Sequence, residues 1–376
     1  MLRILHVVGR MDRGGAETLL MNLYRHLDTT RYQFDFLCFS SKPGEFDAEI
    51  HRRGGRVFRH PVEDARHPIK RFMAVRQVLL TNREIRAIHC HTYLSCGIDL
   101  LAARWSGIAL RIAHVHTTSD IKSQTLIRRL YRSIFRRLVL RYANLYVACG
   151  ELAATVFFGA RRKVVILRNA IDVAEFSKPN IEVRSPDTPF ESENVNRLRI
   201  IQVGRLASVK NHKFSLEVAK QMKVKGIPFT MAFIGKGDLQ HTLINCIQNN
   251  GLESDVLLLG GRTDIPQLMN QAHVMIMPSL FEGFPLTLVE AQAAGLPSIV
   301  SNAISREVDL GLNLVDFVSL DADPEEWIER IVGASQKAKP STGTRVDTLH
   351  QRGFDVADNA ILLQSLYQTS IRSLSK

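Results

Sequence analysis

Glu282 and Glu290 stand eight residues apart in "SLFEGFPLTLVEAQAAGLPSIVSN", Ser279 to Asn302, and are the only charged side chains in that segment. On one continuous helix they would be separated by about 12 Å along the axis and roughly 80° around it, too far to hold one small group. Gly283 and Pro285 between them argue for a helix that starts there, with Pro285 near its first position. Glu282 then lies in the loop over the helix end. Glu290 lies between one and two turns inside, on a face shared with Leu286, Thr287, Ala293 and Ala294. A carboxylate so placed needs hydrogen-bond donors. A nucleoside diphosphate sugar offers them. Its diphosphate would rest on the helix N-terminus at Gly283, Phe284, Pro285 and Leu286, with Glu290 reaching the diol of a ribose and Glu282 the hydroxyls of a sugar. Pairing of Glu290 with a distant arginine and plain exposure of Glu282 fit the spacing equally well.

Other loops carry groups suited to phosphate. In "GRMDRGGAET", Gly14 and Gly15 precede a helix, and paired glycines let backbone N–H groups approach an anion, although a plain turn needs the same residues. "VGRLASVKNH" offers Gly204, Arg205 and Lys210 in one loop, two cations suited to a diphosphate or simply to solvent. "IGKGDL" is a further glycine loop leading into a helix. "HCH", His89 to His91, and "HVH", His114 to His116, each end an apolar run with no cysteine or acidic ligand at a supporting spacing, so they read as structural histidines and not as a metal site. Cys38, Cys90, Cys96, Cys149 and Cys246 are scattered and read as reduced, mostly buried thiols.

The elements that must position these groups follow a βαβ rhythm. Strand candidates are "RILHVV", "FDFLCF", "AIHCH", "LRIAHVH", "NLYVAC" and "VVIL", then "RIIQVG", "FTMAFIG", "VLLLGG", "VMIMP" and "SIVS". Segments of helical period such as "AETLLMNLYRHL" and "GIDLLAARWSG" lie between them. This predicts parallel sheets covered by helices, and sites in such sheets form beyond the carboxyl ends of the strands. A chain of 376 residues exceeds one ordinary core, and the polar stretch after Phe176 reads as a linker between two α/β halves. The opening apolar run ends at Gly9, too short for a signal peptide or a bilayer span, which predicts a cytoplasmic protein. The net charge of +12 is uneven: residues 1–180 carry 30 Lys and Arg against 15 Asp and Glu, and the remainder is slightly acidic.

Seven motifs, in order, resemble the retaining glycosyltransferases of the GT-B fold that form the large group-1 family, often called family four. They are "GGAET", "AHVHTTS", "LRNAID", "VGRLASVKNH", "FIGKGDL", "LGGRTDIPQLM" and the Glu-x7-Glu segment. The opening "RILHVVGRMDRGGAETLLMNLYR" and the late "REVDLGL" are most similar to bacterial exopolysaccharide and capsular glycosyltransferases. The resemblance implies an α/β GT-B architecture of two Rossmann-like domains facing across a cleft. Residues 1–180, with a final helix at about 355–376 crossing back, would form the acceptor side, and 181–354 the nucleotide-sugar side. Glu290 would bind the donor ribose and Glu282 the transferred sugar. Arg205 and Lys210 would stabilise the diphosphate as it leaves, Gly14 and Gly15 would border the phosphates, and His116 would stand near the reacting centre. Glu307, in "SREVD", would have a structural or donor-side role. Ala170 and Asn211 stand at turns where the family usually has glycine. No Asp-x-Asp motif stands at the end of any of these strand candidates, so the implied sugar transfer is metal-independent, with no cofactor and with UDP-sugar the commonest donor type. No carboxylate can be nominated for double displacement, which favours the front-face route proposed for the family.

The segment Ile121 to Ala143 sets Leu126, Leu130, Ile134 and Leu138 on one stripe with Arg128, Arg129, Arg132, Arg136 and Arg137 largely beside it. A basic amphipathic helix suits an anionic membrane surface and a lipid-linked saccharide acceptor, which predicts a peripheral protein on the inner face of the cytoplasmic membrane. A core helix with a solvated arginine face has the same pattern. Two further readings compete: a nucleotide-sugar epimerase of the same fold, and a nucleic-acid binder. The second is weakened because the arginines lack interleaved aromatic residues.

Overall fold

The computed structural model describes every residue except 13, 117–124, 179–189, 191–196 and 375–376, and of 126–128 the backbone only. Most of the linker expected after Phe176 lies outside the described residues. The chain divides into two compact units, Met1–Ala170 with Asp355–Lys376, and Ile171–Phe354.

The first unit holds a parallel sheet of β1 (Leu2–Val8), β2 (Tyr32–Cys38), β3 (Val57–Arg59), β4 (Ile85–Cys90), β5 (Leu110–Val115), β6 (Leu145–Ala148) and β7 (Val165–Ile166), in the order β3-β2-β1-β4-β5-β6-β7. The second holds β8 (Leu198–Val203), β9 (Phe229–Ile234), β10 (Val256–Gly260), β11 (Val274–Met277), β12 (Ser298–Ser301) and β13 (Val315–Val318), in the order β10-β9-β8-β11-β12-β13. Both sheets are Rossmann-like. Their near-continuous apolar strands are covered on both faces: Leu5 and Val7 face one core in the first unit, while Ile4 and Val8 face another. Strand order reverses between β1 and β4 and between β8 and β11, and loops leaving such a pair in opposite directions open a crevice for ligands.

All eleven strand candidates form strands. The short edge strands β3 and β13 were not anticipated; a run of three or four residues flanked by polar ones carries little periodic signal. The units meet at Ala170–Ile171, earlier than the expected 180/181. Ile171 N–H donates to Phe354 O at 3.0 Å, and Ile171, Val173 and Phe176 belong to a core of the second unit. The helix Val356–Leu374 belongs to the first unit, where it buries Val356, Ala360, Leu363 and Tyr367.

In the basic helix Leu126–Tyr142 the core side is formed by Tyr131, Phe135, Val139, Leu140 and Tyr142; of the expected stripe, Leu138 is half-buried against Gly97, and the Leu126 side chain lies outside the described residues. Leu130 and Ile134 point outward, 62% and 44% exposed. Arg129 and Arg137 are exposed and Arg132 is half-buried, whereas Arg136 donates from Nε to Phe157 O at 2.5 Å. The Arg128 side chain lies outside the described residues. No helix among the described residues is long and apolar enough to cross a membrane.

Candidate functional site

The candidate site of the second unit lies at the carboxyl ends of β8 and β11. The loop after β8 carries Gly204, Arg205 and Lys210, and the loop after β11 carries Glu282 to Pro285. Leu280 N–H donates to Val209 O at 2.8 Å, and Lys210 Nζ donates to Glu282 Oε1 at 2.5 Å, so the two loops are tied by backbone and by charge. The cation that the sequence around Glu282 lacked thus comes from 72 residues upstream.

Two buried side chains hold Lys210 in place. Gln202, inside β8, donates from Nε2 to Lys210 O at 2.8 Å, and Ser215 Oγ donates to Gln202 Oε1 at 2.7 Å. The Lys210 stem packs over Gly204, its Cε about where a Cβ contact at 3.1 Å would form. The glycine loops behind it are in close backbone contact: a Cβ on Gly235, whose φ is +153°, would overlap Gly204 O. Arg205 is exposed and has no ion pair among the described residues.

Pro285 caps the following helix, Leu286–Ala294, one position ahead of the expected place; it is buried, while Gly283 is exposed. No side chain caps that N-terminus, and its first turn carries no acidic residue, so its positive end is left open. Phe284 stacks on Phe354 with centroids 5.5 Å apart, which fixes the approach to the helix.

Glu290 sits on the second turn, half-buried, with no hydrogen bond or ion pair among the described residues. Burial raises its carboxyl to about 7, and the negative charge of Glu175, on the helix Val173–Ser177, pushes the same way. No arginine among the described residues pairs with it. Two residues beyond Glu290, buried Gln292 donates to Val308 O at 2.8 Å and accepts from Leu310 N–H at 2.9 Å, anchoring the turn that leaves Glu307 exposed.

The first unit treats its predicted residues differently. Gly14 caps the helix Gly15–Arg25, and the Glu17 carboxylate, its pKa raised by burial, folds back against Gly14. His116 ends β5. Its Nε2 lies 2.8 Å from His91 Nδ1, and its Nδ1 is buried on the side of Asn169. Burial lowers the ring to about 4, opposed by the side chain of Asn169 beside it. Both nitrogens are therefore turned into the protein.

Sequence reasoning missed Gln202, Gln292 and His6, which lies 3.1 Å from His91. The two in strands were detectable as polar residues inside the apolar runs "RIIQVG" and "RILHVV". Of the two turn positions, Asn211 adopts the left-handed conformation (φ 54°, ψ 42°), which asparagine tolerates better than other non-glycine residues. Ala170 has no positive φ and is fully buried, so alanine fits.

Residues 13–175 match the family described as Glycosyltransferase Family 4, and residues 185–331 match Glycosyl transferases group 1. Over 372 residues the chain is 39% identical to the Bacillus subtilis glycosyltransferase EpsF, covering 98% of this chain and 97% of that one. It is 28% identical over 231 residues to the Escherichia coli UDP-Gal:alpha-D-GlcNAc-diphosphoundecaprenol alpha-1,3-galactosyltransferase, covering 60% and 59%. Among solved structures, Anabaena HepE in complex with UDP superimposes with a TM-score of 0.72 at 20% identity, covering 98% and 100%. With its two Rossmann-like units and its Glu282–Glu290 segment, the chain belongs to the group 1, family 4 glycosyltransferases of GT-B fold.

Proposed function

We propose that the chain moves a sugar from a nucleoside diphosphate, UDP-sugar being the first candidate, to a lipid-linked saccharide in bacterial exopolysaccharide or capsule synthesis. The transfer retains the anomeric configuration and needs no metal ion. The observation that carries this reading is Glu290: a carboxylate with no protein partner among the described residues, inside a helix whose uncapped N-terminus shares the switch point with Arg205 and Lys210. Such a carboxylate is poised for ligand hydroxyls, and the helix end for an anion.

In this reading the diphosphate lies against Gly204, Arg205, Lys210 and the backbone from Gly283 to Leu286. The glycosidic C–O bond to the diphosphate breaks and the acceptor oxygen bonds the anomeric carbon on the same face, while the acceptor's proton passes to the departing phosphate oxygen. Arg205 and Lys210 counter the charge that builds on that oxygen, the task a metal ion performs in other transferases. Glu282, tied to Lys210, both orients the ammonium and accepts from sugar hydroxyls. His116 offers no outward nitrogen in this arrangement, so it serves as a packed ring and not as a proton carrier.

Support for the donor comes from UDP bound to HepE, and for the acceptor from the diphosphoundecaprenol named for the E. coli relative. The test is isothermal titration of UDP, GDP and ADP in EDTA against wild type and Glu290→Ala. One nucleotide should bind without metal and lose affinity in the variant; equal binding by both proteins would end the assignment. Incubation of the nucleotide sugar without acceptor distinguishes an epimerase, which would convert it to its epimer.

A further inference from the structure

The first unit stacks five imidazoles on the sheet face that the helix Val356–Leu374 covers. His6 comes from β1, His89 and His91 from the end of β4, and His114 and His116 from the end of β5. His6 is level with His89 in the β1–β4 register, and adjacent rings lie with centroids 4.0 to 5.3 Å apart. The proposed sugar transfer uses none of their nitrogens.

Packing alone does not account for them. His6 Nε2, His89 Nε2 and both nitrogens of His114 are buried without a hydrogen-bond partner. Each such atom costs about 1–3 kcal/mol. His89 and His91 satisfy part of their need, through Tyr367 OH at 2.9 Å and through His6 at 3.1 Å. His114 satisfies none, although it is only 1% exposed.

We infer that His91, His114 and His116 form a binding site for a borderline divalent transition cation such as Zn²⁺, Co²⁺ or Ni²⁺. One ring nitrogen from each lies within 4.8 Å of the others. The group is all imidazole with no carboxylate, a donor set that suits these ions and not Mg²⁺ or Ca²⁺. His6, His89 and His91 form a second triad of the same reach. The first is preferred because His91 and His116 are only half-buried at the strand ends, whereas His6 and His89 are fully buried. With bonds of about 2.0–2.1 Å in tetrahedral geometry, ligand nitrogens stand about 3.3 Å apart. The 2.8 Å contact between His91 Nδ1 and His116 Nε2 would open by only about half an ångström to admit the ion. His91 then keeps its Nε2 on His6 Nδ1, an outer contact of the type that fixes ligating histidines.

The experiment uses the full chain, stripped with chelator and freed of it, with no nucleotide present. Its outcome therefore does not depend on the transferase reading. Zn²⁺ is titrated by calorimetry and Co²⁺ by its visible ligand-field bands. Wild type should bind one ion per chain with tetrahedral Co²⁺ bands and a raised Tm, and Mg²⁺ should do neither. His116→Ala and His91→Ala should weaken Zn²⁺ by about 100-fold or more, while His116→Cys, which restores a metal ligand, should recover binding. His241→Ala, an exposed histidine of the second unit, should bind as wild type does. Absence of stoichiometric binding by wild type overturns the site. So does binding that survives His116→Ala but is lost in His6→Phe, since the ion would then sit in the other triad.

Discussion

An ionised Glu290 is costly to the empty protein and useful to the liganded one. Its folded pKa of about 7 lies above the carboxylate's ordinary 4.5, so between those values the folded chain holds a proton that the unfolded chain has released. Stability therefore falls as pH rises through that window. Glu290→Gln removes this cost. It should melt about 2–6 °C above wild type at pH 8 and within error of it at pH 5, by scanning calorimetry. Nucleotide affinity should move the opposite way, because ribose hydroxyls need the carboxylate as acceptor. Wild type should gain about tenfold between pH 6 and pH 8, and the glutamine variant should be weaker and flatter. Lys210→Ala tests the other half of the constellation: kcat should fall about 100-fold or more with a smaller change in KM, since the ammonium acts mainly on charge that develops during transfer. The placement of Glu282 in a loop and of Glu290 inside a helix was readable from Gly283 and Pro285, which set a helix start between them. Their charged neighbours were not. Lys210 and Glu175 reach these residues through the sheet's crossovers, and sequence distance carries no trace of such contacts.

At the scale of elements, the βαβ rhythm was legible because a strand buried on both faces must be apolar throughout, while a helix against it shows the longer period. What the rhythm could not give is strand order. The crevice exists because β11, and not β9 alone, lies beside β8, so the two site loops diverge and then meet across the gap. The five histidines illustrate the same gap: "HCH" and "HVH" looked unsupported along the chain, yet β1, β4 and β5 are neighbours and His6 joins them from the side. The loops also depend on backbone that few residues tolerate. Asn211 is left-handed, so Asn211→Gly should change stability by less than about 0.5 kcal/mol, whereas Asn211→Val should cost about 1–2 kcal/mol in denaturant unfolding. Gly235→Ala should be worse than either, because its Cβ would fall on Gly204 O and push the loop that carries Arg205.

Across the whole molecule, charge is divided as the two units are. The excess of basic residues falls in 1–180, and the helix Leu126–Tyr142 concentrates it beside apolar side chains that the core does not use. A helix whose only task was to cover the sheet would end its apolar surface at Tyr131, Phe135, Val139 and Tyr142. Leaving Leu130 and Ile134 in water between arginines costs solubility without adding to the core, and an anionic bilayer rewards both features at once. Each basic residue near such a surface contributes about 1 kcal/mol, weakened by salt. The variant Arg129→Glu, Arg132→Glu, Arg137→Glu leaves Arg136 and its bond to Phe157 intact, so folding should be preserved. Its partitioning onto vesicles rich in phosphatidylglycerol should drop by about 100-fold or more in co-sedimentation, and wild-type binding should fall with added salt. Leu130→Ser with Ile134→Ser should weaken binding while leaving its salt dependence in place, separating the apolar contribution from the charged one. Nucleotide affinity, which the proposed site assigns to the second unit, should be the same in all of these proteins. Unchanged vesicle binding by the triple variant would mean that the arginines serve only solvent and that a lipid-linked acceptor is met elsewhere on the chain.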